Sequence, residues 1–160
     1  MGTIEDYTSG KILEKISKAL VVFDTQNGPL GESVIGSRLL DKLHEFEPLV
    51  LTLPEAVKHI FGSVQSATAI RVCRSLNSDS PATESVFLDD LAEAMVREGK
   101  AEFCSKEKAV KTLEKYPQYP LVVSKVSGSY QEICRSYPRQ CLYWLAEQRG
   151  LKCLHRNNEA

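Results

Sequence analysis

No apolar run in this 160-residue chain approaches the roughly 18 to 20 residues that cross a bilayer; the densest patch, Ala19 to Phe23, stops at Asp24. That predicts no membrane span. An export signal is missing too, because Glu5 and Asp6 precede any apolar stretch, and the expected location is intracellular, cytoplasmic or nuclear. Cysteine is present but unorganised. Five residues, Cys73, Cys104, Cys134, Cys141 and Cys153, form no C-x-x-C pair and are an odd number, which argues for reduced thiols over a disulfide framework. Cys134, Cys141, Cys153 and His155 are spaced seven, twelve and two residues apart, a pattern that fits no common zinc site. His44, His59 and His155 stand outside any H-E-x-x-H context. The richest glycine stretch, Asn27-Gly28-Pro29-Leu30-Gly31, lacks the lysine and hydroxyl of a phosphate-binding loop and reads as a turn. These absences predict no enzyme, no metal and no cofactor.

What remains is the composition of a folded protein: 42% hydrophobic and 26% charged residues, enough to build a core. The net charge of −1 conceals a division. Residues 1–95 hold eight Lys and Arg against fourteen Asp and Glu, a balance of −6, whereas residues 96–160 hold twelve against seven, a balance of +5. A polyanion would meet the second part.

A repeat emerges along the chain. Glu32-Ser33-Val34-Ile35 returns as Glu84-Ser85-Val86-Phe87 after 52 residues, and Ala56-Val57-Lys58 returns as Ala109-Val110-Lys111 after 53. This predicts a duplicated unit of about 50 residues. Each copy reads as two helices. Ile35, Leu39, Leu40 and Leu43 form one apolar stripe between Ser33 and His44, and Thr52-Leu53-Pro54-Glu55 supplies a capping box for a follower bearing Ala56, Val57, Ile60 and Phe61. In the second copy, Ser85 is expected to cap a helix through Phe87, Leu88, Leu91 and Met95 that ends at Gly99. Ser105 is expected to cap one through Ala109, Val110 and Leu113. Asp89, Asp90 and Glu93 would meet the positive end of a helix dipole.

Leu121 to Val126, the turn Ser127-Gly128-Ser129 and Tyr130 to Cys134 predict a hairpin. Residues 67–76 fit a strand or a helix equally well. Terminal helices are expected from about Gly10 to Phe23 and from about Pro138 to Arg149, the latter packing Tyr143 and Trp144 into a core or interface.

Helix, helix, then hairpin resembles the winged-helix superfamily, and the doubled pattern resembles tandem winged helices, over roughly Ser33 to Cys134. The expected fold is α+β and mostly helical: tandem helix-turn-helix units, residues 1–80 (acidic) and 81–160 (basic), with flanking terminal helices. The resemblance implies either nucleic-acid binding through the second helix and wing, or service as an assembly surface in a protein complex.

A helical wheel sharpens the first option. Ala109, Val110 and Leu113 group on one side, while Lys108, Lys111 and Lys115 group on the other. With Lys125 in the wing and Arg135 and Arg139 beyond it, these six residues are the candidate contacts to DNA or RNA. The alternative partner is a protein, with the chain acting as an adaptor.

Overall fold

A computed structural model describes residues 2–74, 76 and 79–157. Hydroxyl caps start several helices where the sequence places them. Thr3 forms a capping box with Asp6 at α1 (Ile4–Ser9), which leads through Gly10, in the left-handed region, into α2 (Lys11–Thr25). Ser33 accepts from the Gly36 amide at the start of α3 (Val34–His44). After β1 (Leu49–Leu51), the box of Thr52 and Glu55, with proline in the first turn, opens α4 (Leu53–Gly62). Then come β2 (Ser66–Ile70), β3 (Glu84–Leu88), α5 (Asp89–Arg97), β4 (Glu102–Cys104) and α6 (Lys106–Glu114), the last capped by Ser105. The hairpin of β5 (Leu121–Val126) and β6 (Ser129–Arg135) follows. Ser127 and Gly128 both have positive φ, 50° and 86°, as a two-residue turn matched to strand twist requires. α7 (Leu142–Gln148) and β7 (His155–Arg156) complete the chain.

Among the described residues the strands form one seven-stranded sheet, ordered β4-β2-β3-β6-β5-β1-β7, antiparallel except for the β1–β7 pair. Setting β7 aside, the order reads alike from both ends when β1 is matched to β4, β2 to β5 and β3 to β6. Strands from residues 1–80 and 81–160 interleave in it.

Period-two alternation divides the core into two faces. Leu49 and Leu51 of β1, Val86 and Leu88 of β3, Leu121 and Val123 of β5 and Ile133 of β6 pack under α4 and α6 through Ala56, Ile60, Ala109 and Leu113. Ala67, Ala69, Phe87 and Val126 face the other way, toward Tyr7 of α1, Ile12 of α2 and Leu91 and Met95 of α5. Val122 joins Leu39 and Leu43 of α3 and Ala146 of α7 on that side.

The fold is α+β, but it is not mostly helical: 44% of it is helix and 20% strand. The expected helix-turn-helix pairs are corrected as well. Leu49–Leu51 and Glu102–Cys104, read from sequence as connections, are strands, so α3 and α4 lie on opposite faces of the sheet, as do α5 and α6. Nor does Ser85 cap a helix. Residues 84–88 are the buried strand β3, whose continuous apolar run has no visible period. The Glu32 and Glu84 tetrapeptides therefore occupy a helix start and a strand, whereas both Ala-Val-Lys triplets lie in capped helices that follow three-residue strands. Residues 66–70 are strand, and the terminal helix is shorter than expected. The turn read from Asn77 onward falls partly outside the described residues.

Candidate functional site

The six cations singled out from sequence meet different surroundings. Lys108 and Lys111 are exposed on α6. Lys115, just past its end, lies 3.6 Å from Glu84. The Lys125 ammonium sits 2.7 Å from Glu47 and 5.2 Å from the Tyr130 ring centroid. That pairing holds the Glu47 carboxyl below its usual range and raises the lysine. Arg139 is exposed in the turn before α7. Arg135 corrects the expectation outright: it is only 7% exposed and donates from Nε to the Leu113 carbonyl at 2.6 Å and from Nη1 to the Tyr119 carbonyl at 2.7 Å. It ties the end of α6 and the following turn to β6, supplying a donor to a carbonyl of the last helical turn.

The chemistry that sequence reading missed lies on the opposite face of the sheet, at the β3–β6 seam. Ser85 pairs across the seam with Cys134 and Phe87 with Glu132, so Ser85, Glu132 and Cys134 point away from α4 and α6. Together with Tyr7, Arg71, Cys73, Ser124, Gln140, Cys141 and Tyr143 they line a chamber of about 80 Å³, space for a few waters or a small polar group. Its polar groups are unevenly satisfied. The Tyr7 hydroxyl donates to Glu132 Oε1 at 2.6 Å, and the Tyr143 and Ser124 hydroxyls are 3.0 Å apart. Arg71 Nε, Arg71 Nη2 and Ser85 Oγ are buried with no hydrogen-bond partner among the described residues.

Burial dominates the electrostatics here. It pushes the Glu132 carboxyl up to about 7, against the opposing pull of the Tyr7 hydrogen bond and the Arg71 charge. Tyr7 is raised first by burial and then by Glu132. Burial likewise raises the Cys134 thiol and pushes that of Cys141 up to about 12. Both stay protonated and unreactive at neutral pH.

The chamber adjoins a groove. Ile12 and Ile16 of α2, Leu43 of α3, Phe46 and Leu142 line both the chamber and a cavity of about 570 Å³ between α2 and α3. Ala19, Val22, Ile35 and Leu39 extend its apolar wall, and Lys15, Lys18, Arg38 and Lys42 stand on its rim. Lys15 is held by Asp6 at 2.8 Å. The amphipathic pattern of α2 and α3 was legible; that their stripes leave space between them was not, because a helical wheel reports a face and not its distance from a neighbour. Glu132 left a faint signal as a carboxylate at an inward position of the hairpin.

The chain matches no protein family, no curated protein and no solved structure. The winged-helix resemblance therefore has no support.

Proposed function

We propose that this chain is a non-enzymatic binding protein for a small amphiphilic molecule, held in the α2–α3 groove with its polar end toward the chamber at the β3–β6 seam. The observation that carries this reading is adjacency: an apolar-walled cavity of about 570 Å³ shares five lining residues with a smaller chamber in which Arg71, Ser85 and Glu132 are buried. Ligand sites typically combine a volume of about 300–1,000 Å³, mostly apolar walls and a few convergent polar groups. Protonated thiols and a tyrosine-bound carboxyl supply recognition and no activated nucleophile, which favours binding over catalysis. The test is fluorescence titration with an anilinonaphthalene sulfonate, with circular dichroism to verify the fold. Saturable binding at one site is expected, and Ala19→Trp, which fills the groove, should abolish it. Undiminished binding by a folded Ala19→Trp protein would refute the reading.

Nucleic-acid binding stands as a second reading, favoured by Lys108 and Lys111, which are exposed on α6 with no ion pair among the described residues. Oligonucleotide binding that weakens with salt and disappears in Lys108→Glu/Lys111→Glu would support it. The adaptor reading rests on the edge at β4, where Phe103 is exposed, and on exposed Phe61 in the last turn of α4 and Val64 just beyond it; failure of Phe103→Lys to alter partner capture would count against that surface.

A further inference from the structure

We infer that the chamber receives the carboxylate of a monoanionic amphiphile on the Nε–Nη2 edge of Arg71, with the ligand's apolar chain lying in the α2–α3 groove. This inference rests on the groove reading above and names the ligand class.

The argument starts from Arg71, which follows β2 and is only 3% exposed. A buried guanidinium normally spends its donors on protein acceptors. Here Nε and Nη2 have no hydrogen-bond partner among the described residues. These two nitrogens share one edge of the planar group, and their parallel N–H bonds match the spacing of two oxygens on one carboxylate, the bidentate arrangement for which arginine is suited. Ser85 Oγ, 1% exposed and likewise unpartnered, lines the same chamber and offers a third hydrogen bond.

Charge and shape select the head group. Glu132 Oε1 is already engaged by the Tyr7 hydroxyl, and burial favours the protonated form of this carboxyl, so a single ligand charge can meet Arg71 in the desolvated site. A monoanion balances Arg71, whereas a phosphate dianion would exceed it. The chamber of about 80 Å³ accommodates a head group but not the body of a ligand. The body would lie in the adjoining groove, whose border with the chamber is formed by Ile12, Ile16, Leu43, Phe46 and Leu142, apolar side chains suited to a hydrocarbon chain.

The experiment compares dodecanoate, dodecanol and dodecyl phosphate by displacement of the naphthalene dye from the full chain at low salt. Dodecanoate is expected to bind about tenfold to a hundredfold more tightly than dodecanol, the range for hydrogen bonds to a charged group. Arg71→Met should erase that preference, leaving dodecanoate no tighter than dodecanol. Equal affinity for acid and alcohol, tighter binding of the phosphate, or a preference that survives Arg71→Met would each overturn the head-group assignment and leave the groove reading standing. Displacement by none of the three would remove both. Should Arg71→Met fail to fold, the Arg71 Nε–H resonance of the wild-type protein decides the point: it should shift with dodecanoate and not with dodecanol, and equal shifts would overturn the assignment.

Discussion

Glu132→Gln is expected to change the pH dependence of stability more than stability itself. The Glu132 carboxyl is raised from 4.5 to about 7 in the folded chain, so the native state holds its proton more tightly than the unfolded state does. The stability this contributes is fully present below about pH 4.5, where both states are protonated, and is lost as pH rises through about 7. A displacement of about 2.5 pH units at about 1.4 kcal/mol each amounts to about 3 kcal/mol across that window. Glutamine keeps the acceptor for Tyr7 and cannot ionise. The difference in unfolding free energy between Glu132→Gln and wild type should therefore move by about 3 kcal/mol in favour of the variant between pH 4 and pH 8. For a chain of this length that corresponds to roughly 6–12 °C in Tm. Arg71, Cys134 and Tyr143 face the same chamber and remain in both proteins, so their contributions largely cancel in the comparison. Urea titrations of both proteins at pH 4, 6 and 8 measure the difference directly. A constant difference across the series would show that Glu132 is not desolvated as its position implies, and would remove the charge argument for a monoanionic ligand.

Three stability predictions follow from individual contacts. Leu113→Ala, which empties a fully buried site beneath α6, should cost about 2–5 kcal/mol in chemical denaturation, and a cost under about 1 kcal/mol would show that the site collapses freely. Thr52→Ala removes the hydroxyl that accepts from the Glu55 amide at 3.3 Å and should cost about 1 kcal/mol, with unchanged stability arguing against the capping box. At Gly36 a Cβ would approach the Leu30 carbonyl to 1.9 Å, so Gly36→Ala should lose about 1–3 kcal/mol through forced backbone displacement; a neutral result would mean that the turn before α3 yields easily.

Local structure was legible wherever a side chain closes its own neighbourhood. Ser33, Thr52 and Ser105 cap helices because each hydroxyl reaches an amide three residues on, a relation fully written in sequence. The β5–β6 turn was legible for the same reason. The strands β1 and β4 were not, since three residues are too few to display a period and their antiparallel pairing partners lie 34 to 74 residues away in the chain. The basic face of α6 was correctly placed on the surface at Lys108 and Lys111, but a single-helix wheel carries no information about Glu84, which meets Lys115, or about the carbonyls that draw Arg135 inward.

The location of the site follows from one alternation. Along β3 and β6, Val86, Leu88 and Ile133 face α4 and α6, while their chain neighbours Ser85, Glu132 and Cys134 face the other side. The first face is apolar at Val86, Leu88 and Ile133, its one buried charge in β6, Arg135, is satisfied by the Leu113 and Tyr119 carbonyls, and two helices with small Ala56 and Ala109 at the contact close over it. The second face carries polar side chains at the same central strands, and burying them without partners is costly. The helices on that face bring only partial compensation: Tyr7 from α1 meets Glu132 and Tyr143 from α7 meets Ser124, while Arg71 and Ser85 keep unused hydrogen-bonding capacity. The hydrogen-bonding capacity left over among the described residues of these central strands and their neighbours thus lies on the second side, where we propose the ligand's head group is held. The α2–α3 groove leads to that side, which makes the seam of β3 and β6, rather than the basic front of α6, the place to look for the ligand.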